Sequence, residues 1–268
     1  MTIPTQDQGT RDRETAPGGR PLEPRLNRAQ LIAAAGAGLA LAAIPGMVAA
    51  DGARIRPMDR TAAPETARDI LDMLVTMERF VVANVTANLT GPHQPGLHPL
   101  HVPIEQAAAV TALAHVAFWE GQGGRSRTAT FTVGAPPALA TAVLQRKERI
   151  TTLLVGAYMA AARAFAELGQ PLLVKYAFQA GAVEAEQRAL ARAVQALEGV
   201  PAEALPANKA FETDLFPGVR AAYGAMEGLG LFGKLPVALP YPSRADVLTA
   251  AGPTADLVLQ KAPNTVRR

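Results

Sequence analysis

Residues Asp69–Leu89 read DILDMLVTMERFVVANVTANL, and their spacing decides the fold class. Leu71, Leu74, Val81 and Val85 recur in steps of three and four and define one face of a helix. Glu78 falls on that same face, between Leu74 and Val81. An unpaired buried carboxylate costs several kcal/mol, so Glu78 must be paired, protonated or metal-bound. The pattern repeats elsewhere. His115 stands in line with Ala108, Ala112, Phe118 and Trp119, and Glu184 with Ala177, Ala180, Gly181 and Ala191. Three helices each aim one metal-competent side chain inward, which predicts a site inside a helix bundle.

Working outward, Pro64–Leu89 reads as a first helix, started at Thr61 or at Ala63-Pro64 with Glu65 in its first turn. Gly91–Pro103 is a loop dense in Pro, Gly and His, and Ile104–Gly121 is a second helix stopped by Gly121, Gly123 and Gly124. TATFTV, within Ser126–Gly134, is extended but too short and isolated for a sheet. Pro136–Leu168 and Pro171–Leu197 are two more long helices, closed by Gly169 and Gly199. Beyond Pro201 the pattern weakens: a short helix over Pro217–Leu229, proline-rich coil, a weak helix near Ser243–Ala251, and a frayed last dozen residues. LPVALPYP is expected to wrap the chain's own bundle, with docking to a partner as the alternative. The prediction is all-α: an antiparallel four-helix bundle over 64–200, with a C-terminal helix and tail over 201–268 packed on it.

The N-terminal stretch has a different character. Met1–Arg28 is polar and rich in Pro, Gly and Arg, whereas Ala29–Ala50 carries no charge and ends in Val48-Ala49-Ala50. That layout predicts an export signal over 1–50, cleaved after Ala50, followed by a linker over 51–63. The long polar leader and the Ala/Gly-rich apolar core point to the twin-arginine type, although Asn27-Arg28 stands where two arginines belong. The expected location is periplasmic or extracellular, with membrane contact only through the uncleaved signal. With no cysteine among 268 residues, disulfides and thiolate metal sites are excluded. Net charge is +3 without a basic, aromatic-interleaved stripe, so nucleic acid is not an expected partner. There is no P-loop, no G-x-G-x-x-G, no G-x-S-x-G and no H-E-x-x-H.

Several stretches carry a resemblance: DILDMLVTMERF, ALAHVAFWEGQGGRSRTATFTV, LLVGAYMAAARAFAELG, VEAEQRALARAV and PANKAFETDLFPGVRAAYGAMEGLG. From about Ala63 to Gly230 the chain resembles the exported bacterial ferritin-like domain family, also met as desiccation-related proteins. The resemblance implies a dimetal site with one Glu from each of two helices and a Glu-x-x-His pair from each of the other two. Glu78, His115 and Glu184 match that pattern. Ala112 and Gln187 stand at a Glu and a His position, and Thr151 at the third-helix Glu position, with Glu148 one turn away. Two carboxylates leave a pair of dications with a large uncompensated charge, so a di-iron oxidase is not expected.

Two readings of the core follow. In the first, Glu78, His115 and Glu184 form a hydrogen-bonded polar cluster completed by Gln187 and Thr151. No cofactor is bound, and the protein is a non-catalytic structural, stress-associated or partner-binding envelope component. In the second, the three residues hold one iron, manganese or zinc ion, with Glu148 or water in further positions and a metal-carrying or oxidoreductase role. The partner is an unidentified protein or a second copy of the chain. His93, His98 and His101 form a separate candidate surface site for copper or zinc, against the reading of a solvated connector. Trp119 and Phe118 are expected to anchor the core, Tyr158 to be a satisfied core tyrosine that touches the cluster, and Arg125 and Arg127 to be solvated.

Overall fold

The first long helix, α1 (Ala67–Thr90), starts where a threonine can satisfy its orphan amides. Thr66 Oγ1 accepts from the Asp69 amide, and the Asp69 carboxylate accepts from the Thr66 amide, a reciprocal capping box. The start therefore lies later than expected. Glu65 sits outside the helix and accepts hydrogen bonds from the amides of Val219 and Arg220, 3.0 and 2.5 Å away.

The computed structural model describes residues 64–91, 97, 99–134, 140–201 and 212–260 of the 268. The expected export signal and linker, with Thr61 and Ala63, lie outside the described residues, as do His93 and His98. The fold is all-α in character: seven helices and one two-stranded pairing among the described residues. None of these helices is long and apolar enough to cross a membrane.

Helix α2 (His101–Gly121) begins a turn before the expected Ile104. Pro103 is accommodated in that first turn, where no intrahelical N–H bond is required, so it does not mark the loop's end. Helices α3 (Ala140–Glu167) and α4 (Pro171–Leu197) follow. Between them Gly169 adopts φ +67°, and the Gln170 amide closes on the Phe165 carbonyl at 2.8 Å.

Side-chain contacts fix the directions. Glu78 meets His115 while Asn88 meets Glu105, so α1 and α2 are antiparallel. Tyr158 lies against Gly181 while Glu148 meets Arg192, so α3 and α4 are antiparallel. Glu105 meets Lys147 and Trp119 meets Tyr158, so α2 and α3 run parallel, across the connection that holds β1 (Phe131–Val133). The main core lies among these helices, with Leu74, Phe80, Trp119, Leu154, Tyr158 and Phe165 all fully buried. A Cβ on Gly181 would lie 3.0 Å from Tyr158 Cβ, so the glycine lets α4 approach α3 at the tyrosine.

Two expectations about the rest are corrected. The extended TATFTV piece is not isolated: β1 pairs antiparallel with β2 (Val237–Leu239), Phe131 opposite Leu239. The sheet partner comes from LPVALPYP, a hundred residues downstream, which packs on its own chain as expected. Among its described residues the C-terminal region holds three helices, not one helix and a weak second. They are α5 (Val219–Gly228), α6 (Arg244–Ala251) and α7 (Thr254–Gln260). Ser243 and Asp246 cap α6 as Thr66 and Asp69 cap α1. Part of the expected frayed tail is thus helix, and Ala251 and Ala255 bury themselves against Val110 of α2. Arg125 and Arg127 have exposed side chains, yet their amides donate to Asp72 at 2.7 Å and to Thr76 at 2.8 Å. The Arg127 guanidinium also reaches Asp69 at 3.0 Å.

Candidate metal centre

The alternating steps of three and four that place Glu78 beneath Leu74 and Val81 bury it completely. From α2, His115 Nδ1 reaches Glu78 Oε1 at 3.0 Å and Glu184 Oε1 of α4 at 3.9 Å. One donor atom from each of Glu78, His115 and Glu184 lies within 4.8 Å of the others. The sequence therefore names a group that the fold brings together. His115 keeps 16% of its side chain exposed, while Glu78 and Glu184 are sealed at 0% and 3%.

Tyr158 belongs to the group. Its hydroxyl donates to Glu78 Oε1 and accepts from Trp119 Nε1 at 3.1 Å. Trp119 is buried as expected, stacked between Tyr158 and Phe165. The other expected supporters are engaged elsewhere. Thr151 donates its hydroxyl back along α3 to the carbonyls of Lys147 and Glu148, at 2.9 and 3.1 Å. Glu148 is not a ligand, because Arg192 and Gln195 hold its two oxygens at 2.7 and 2.8 Å. Gln187 is buried with its Oε1 unpartnered, and Glu78 Oε2 likewise has no partner.

The electrostatics show what is missing. Burial, then the negative charge of Glu78, pushes the Glu184 carboxyl up to about 8, against the pull of His115 and Lys147. Burial opposes charge on His115, but Glu78, as neighbour and hydrogen-bond acceptor, and Glu184 outweigh it and raise the imidazole above its usual value. Burial and Glu78 likewise raise Tyr158 well above an ordinary phenol, so it stays a donor. The Glu184 carboxyl therefore favours its protonated form at neutral pH, because burial and the Glu78 charge together outweigh the pull of His115 and Lys147.

A second buried cluster lies along the same helices. Glu105 of α2 accepts from Lys147 Nζ of α3 at 2.5 Å, pairs with His101 Nε2 at 3.1 Å, and accepts from Asn88 at 3.2 Å. His101, Glu105 and Lys147 are all buried. Burial resists ionisation of Glu105, yet Lys147 and His101 outweigh it and hold the carboxyl down to about 2. His101 is therefore neither part of a solvated connector nor an exposed copper or zinc ligand: it sits at 0% exposure in the first turn of α2. The i, i+4 spacing from His101 to Glu105 was the available signal. A second was Lys147, set between Leu144, Thr151 and Leu154 on the buried face of α3.

A void of about 20 Å³ separates the clusters, with Asn84, Glu105, Lys147, Thr151, Glu184 and Gln187 as its polar lining. It has room for about one water-sized occupant. One imidazole and two carboxylates form a donor set suited to a single Fe(II), Mn(II) or Zn(II). Two carboxylates also match the charge of one dication. Comparisons with protein-family models, with curated proteins and with solved structures each return no match for this chain.

Proposed function

We propose that this chain is a ferritin-like four-helix bundle that holds one divalent metal ion at Glu78, His115 and Glu184. Under this reading it serves as a non-catalytic, metal-carrying component of the cell envelope. The fold part rests on the helix directions: two antiparallel pairs joined by a long connection between parallel α2 and α3, as in bundles with one crossover. The export part carries forward the signal pattern of residues 1–50, and the ferritin-like part also carries forward the resemblance.

The metal reading rests on one observation above all. The hydrogen-bonded alternative would draw on Gln187 and Thr151, yet Gln187 Oε1 and Glu78 Oε2 are unpartnered and Thr151 bonds its own helix. Unpartnered buried acceptors, with a neighbouring carboxyl driven up to about 8, support a place for a cation among these residues. A bound ion would supply Lewis acidity, and redox capacity if it were iron or manganese. Glu78 and Glu184 would supply the charge, His115 the nitrogen donor, and Tyr158 would hold Glu78 in place by donating to Oε1.

The same geometry argues for holding a metal over turning over an organic substrate. The void beside the cluster admits one water and no larger molecule, and the partial exposure of His115 is the cluster's contact with solvent. The test is metal-dependent stabilisation. At a hundredfold excess over Kd the ion should add about 2.7 kcal/mol to unfolding free energy. His115→Ala should remove that gain. An identical gain in His115→Ala would refute the site.

A further inference from the structure

The void between the two clusters raises the question of what fills the cation role on its far side. Its polar lining contains two carboxylate residues from different helices, Glu105 and Glu184, and Gln187, whose Oε1 is unpartnered. Two carboxylate residues and an amide around a space of about 20 Å³ make a lining that would ordinarily attract a cation. One is already present. Lys147 lines the same void and sets its ammonium 2.5 Å from Glu105 Oε1. Its side chain is only 7% exposed, so this charge is built into the core and not borrowed from the surface.

We propose that the Lys147 ammonium is the resident cation of this second position, and that it limits the core to one metal ion. The inference rests on the single-metal reading and names what determines that number. A dication at Glu78, His115 and Glu184 and an ammonium across one small void share the Glu184 carboxylate between them. Each therefore weakens the other, and a second metal ion would have to displace a lysine already paired with Glu105. Lys147 is thus a specificity residue for metal number and affinity. It is not a ligand.

The prediction separates charge from volume. Lys147→Met keeps the chain length and removes the charge, so the purified protein should still bind one Mn(II), but with affinity higher by on the order of tenfold. Lys147→Arg restores the charge and should return the affinity to the wild-type value. Lys147→Ala removes both charge and bulk and leaves Glu105 and Glu184 facing an open space. It should bind one Mn(II) more than the wild type.

The measurement is Mn(II) stoichiometry and affinity by isothermal titration on the purified full chain and these three variants, with folding checked by circular dichroism. Lys147→Met preserves side-chain volume and serves as the reporter should Lys147→Ala not fold. Unchanged stoichiometry and affinity in both Lys147→Met and Lys147→Ala, with one ion in the wild type, would overturn the role of Lys147 alone. No ion in the wild type but one in Lys147→Ala would sink the native metal site and keep the lysine's role. No ion in any of the four proteins would overturn both.

Discussion

The two buried clusters are built from similar parts and reach opposite balances. Around Glu105, one carboxylate is matched by an ammonium, an imidazole and an amide donor, and the carboxyl is held down to about 2. Around Glu78, two carboxylates share one imidazole and one phenol, and Glu184 is driven up to about 8. The first is a closed ion pair that ties α2 to α3. The second is short of positive charge; unpartnered buried atoms occur beside both, Glu78 Oε2 and Gln187 Oε1 here and His101 Nδ1 in the first. Burial alone does not mark a binding site; the sign of the uncompensated charge does.

The largest test of this contrast is to open the closed cluster. Glu105→Ala strands the Lys147 ammonium in the core, and loss of one partner of a buried pair costs about 3–5 kcal/mol. Urea unfolding of the metal-free protein should read that loss. Glu78→Gln removes negative charge from a cluster that has too much, so its cost should be smaller, about 1–3 kcal/mol. Equal losses would erase the distinction between the clusters.

Acid should find the closed cluster next. Glu105 falls from the usual 4.5 to about 2 on folding. Its contribution is therefore present above pH 4.5 and lost as pH falls toward 2, roughly 3 kcal/mol in all. Lys147→Met should flatten that acid limb.

The open cluster has the opposite sign. Glu184 rises from 4.5 to about 8, so folding takes up a proton and the stabilisation is lost as pH climbs through that window. Metal-free protein should lose stability between pH 5 and 8 more steeply than Glu184→Gln, by thermal or urea unfolding. A bound ion must expel that proton and the one His115 carries when charged, so calorimetry at pH 7 in buffers of different ionisation enthalpy should show proton release, up to two per ion. No proton release would contradict the position of Glu184 in the site.

The long helices were legible because Leu71, Leu74, Glu78, Val81 and Val85 obey one period, and Pro171 and Gly169 punctuate the chain as prolines and glycines do. Glu78, His115 and Glu184 were legible for the same reason, since each interrupts an apolar stripe. What escaped was non-local. Nothing near TATFTV announces a partner in Val237–Leu239, because a two-stranded pairing across a hundred residues leaves no local mark. The engagement of Glu148 by Arg192 and Gln195 depends on the register of α3 against α4, which periodicity leaves open. The density of Pro, Gly and His over Gly91–Pro103 reads as loop and takes in His101, although proline is at home in a first helical turn. Lys147 interrupts the Leu144 and Leu154 stripe of α3, but a lysine on a helix is ordinarily solvated, so the stripe alone does not establish its burial.

Metal content reads directly whether the open cluster takes one ion. The purified chain and its His115→Ala variant should be equilibrated in turn with Fe(II), Mn(II) and Zn(II), dialysed, and assayed for metal per chain. About one tightly held ion in the wild type and none in His115→Ala is the result this account predicts. No ion in the wild type, or an ion that survives loss of His115, would contradict it.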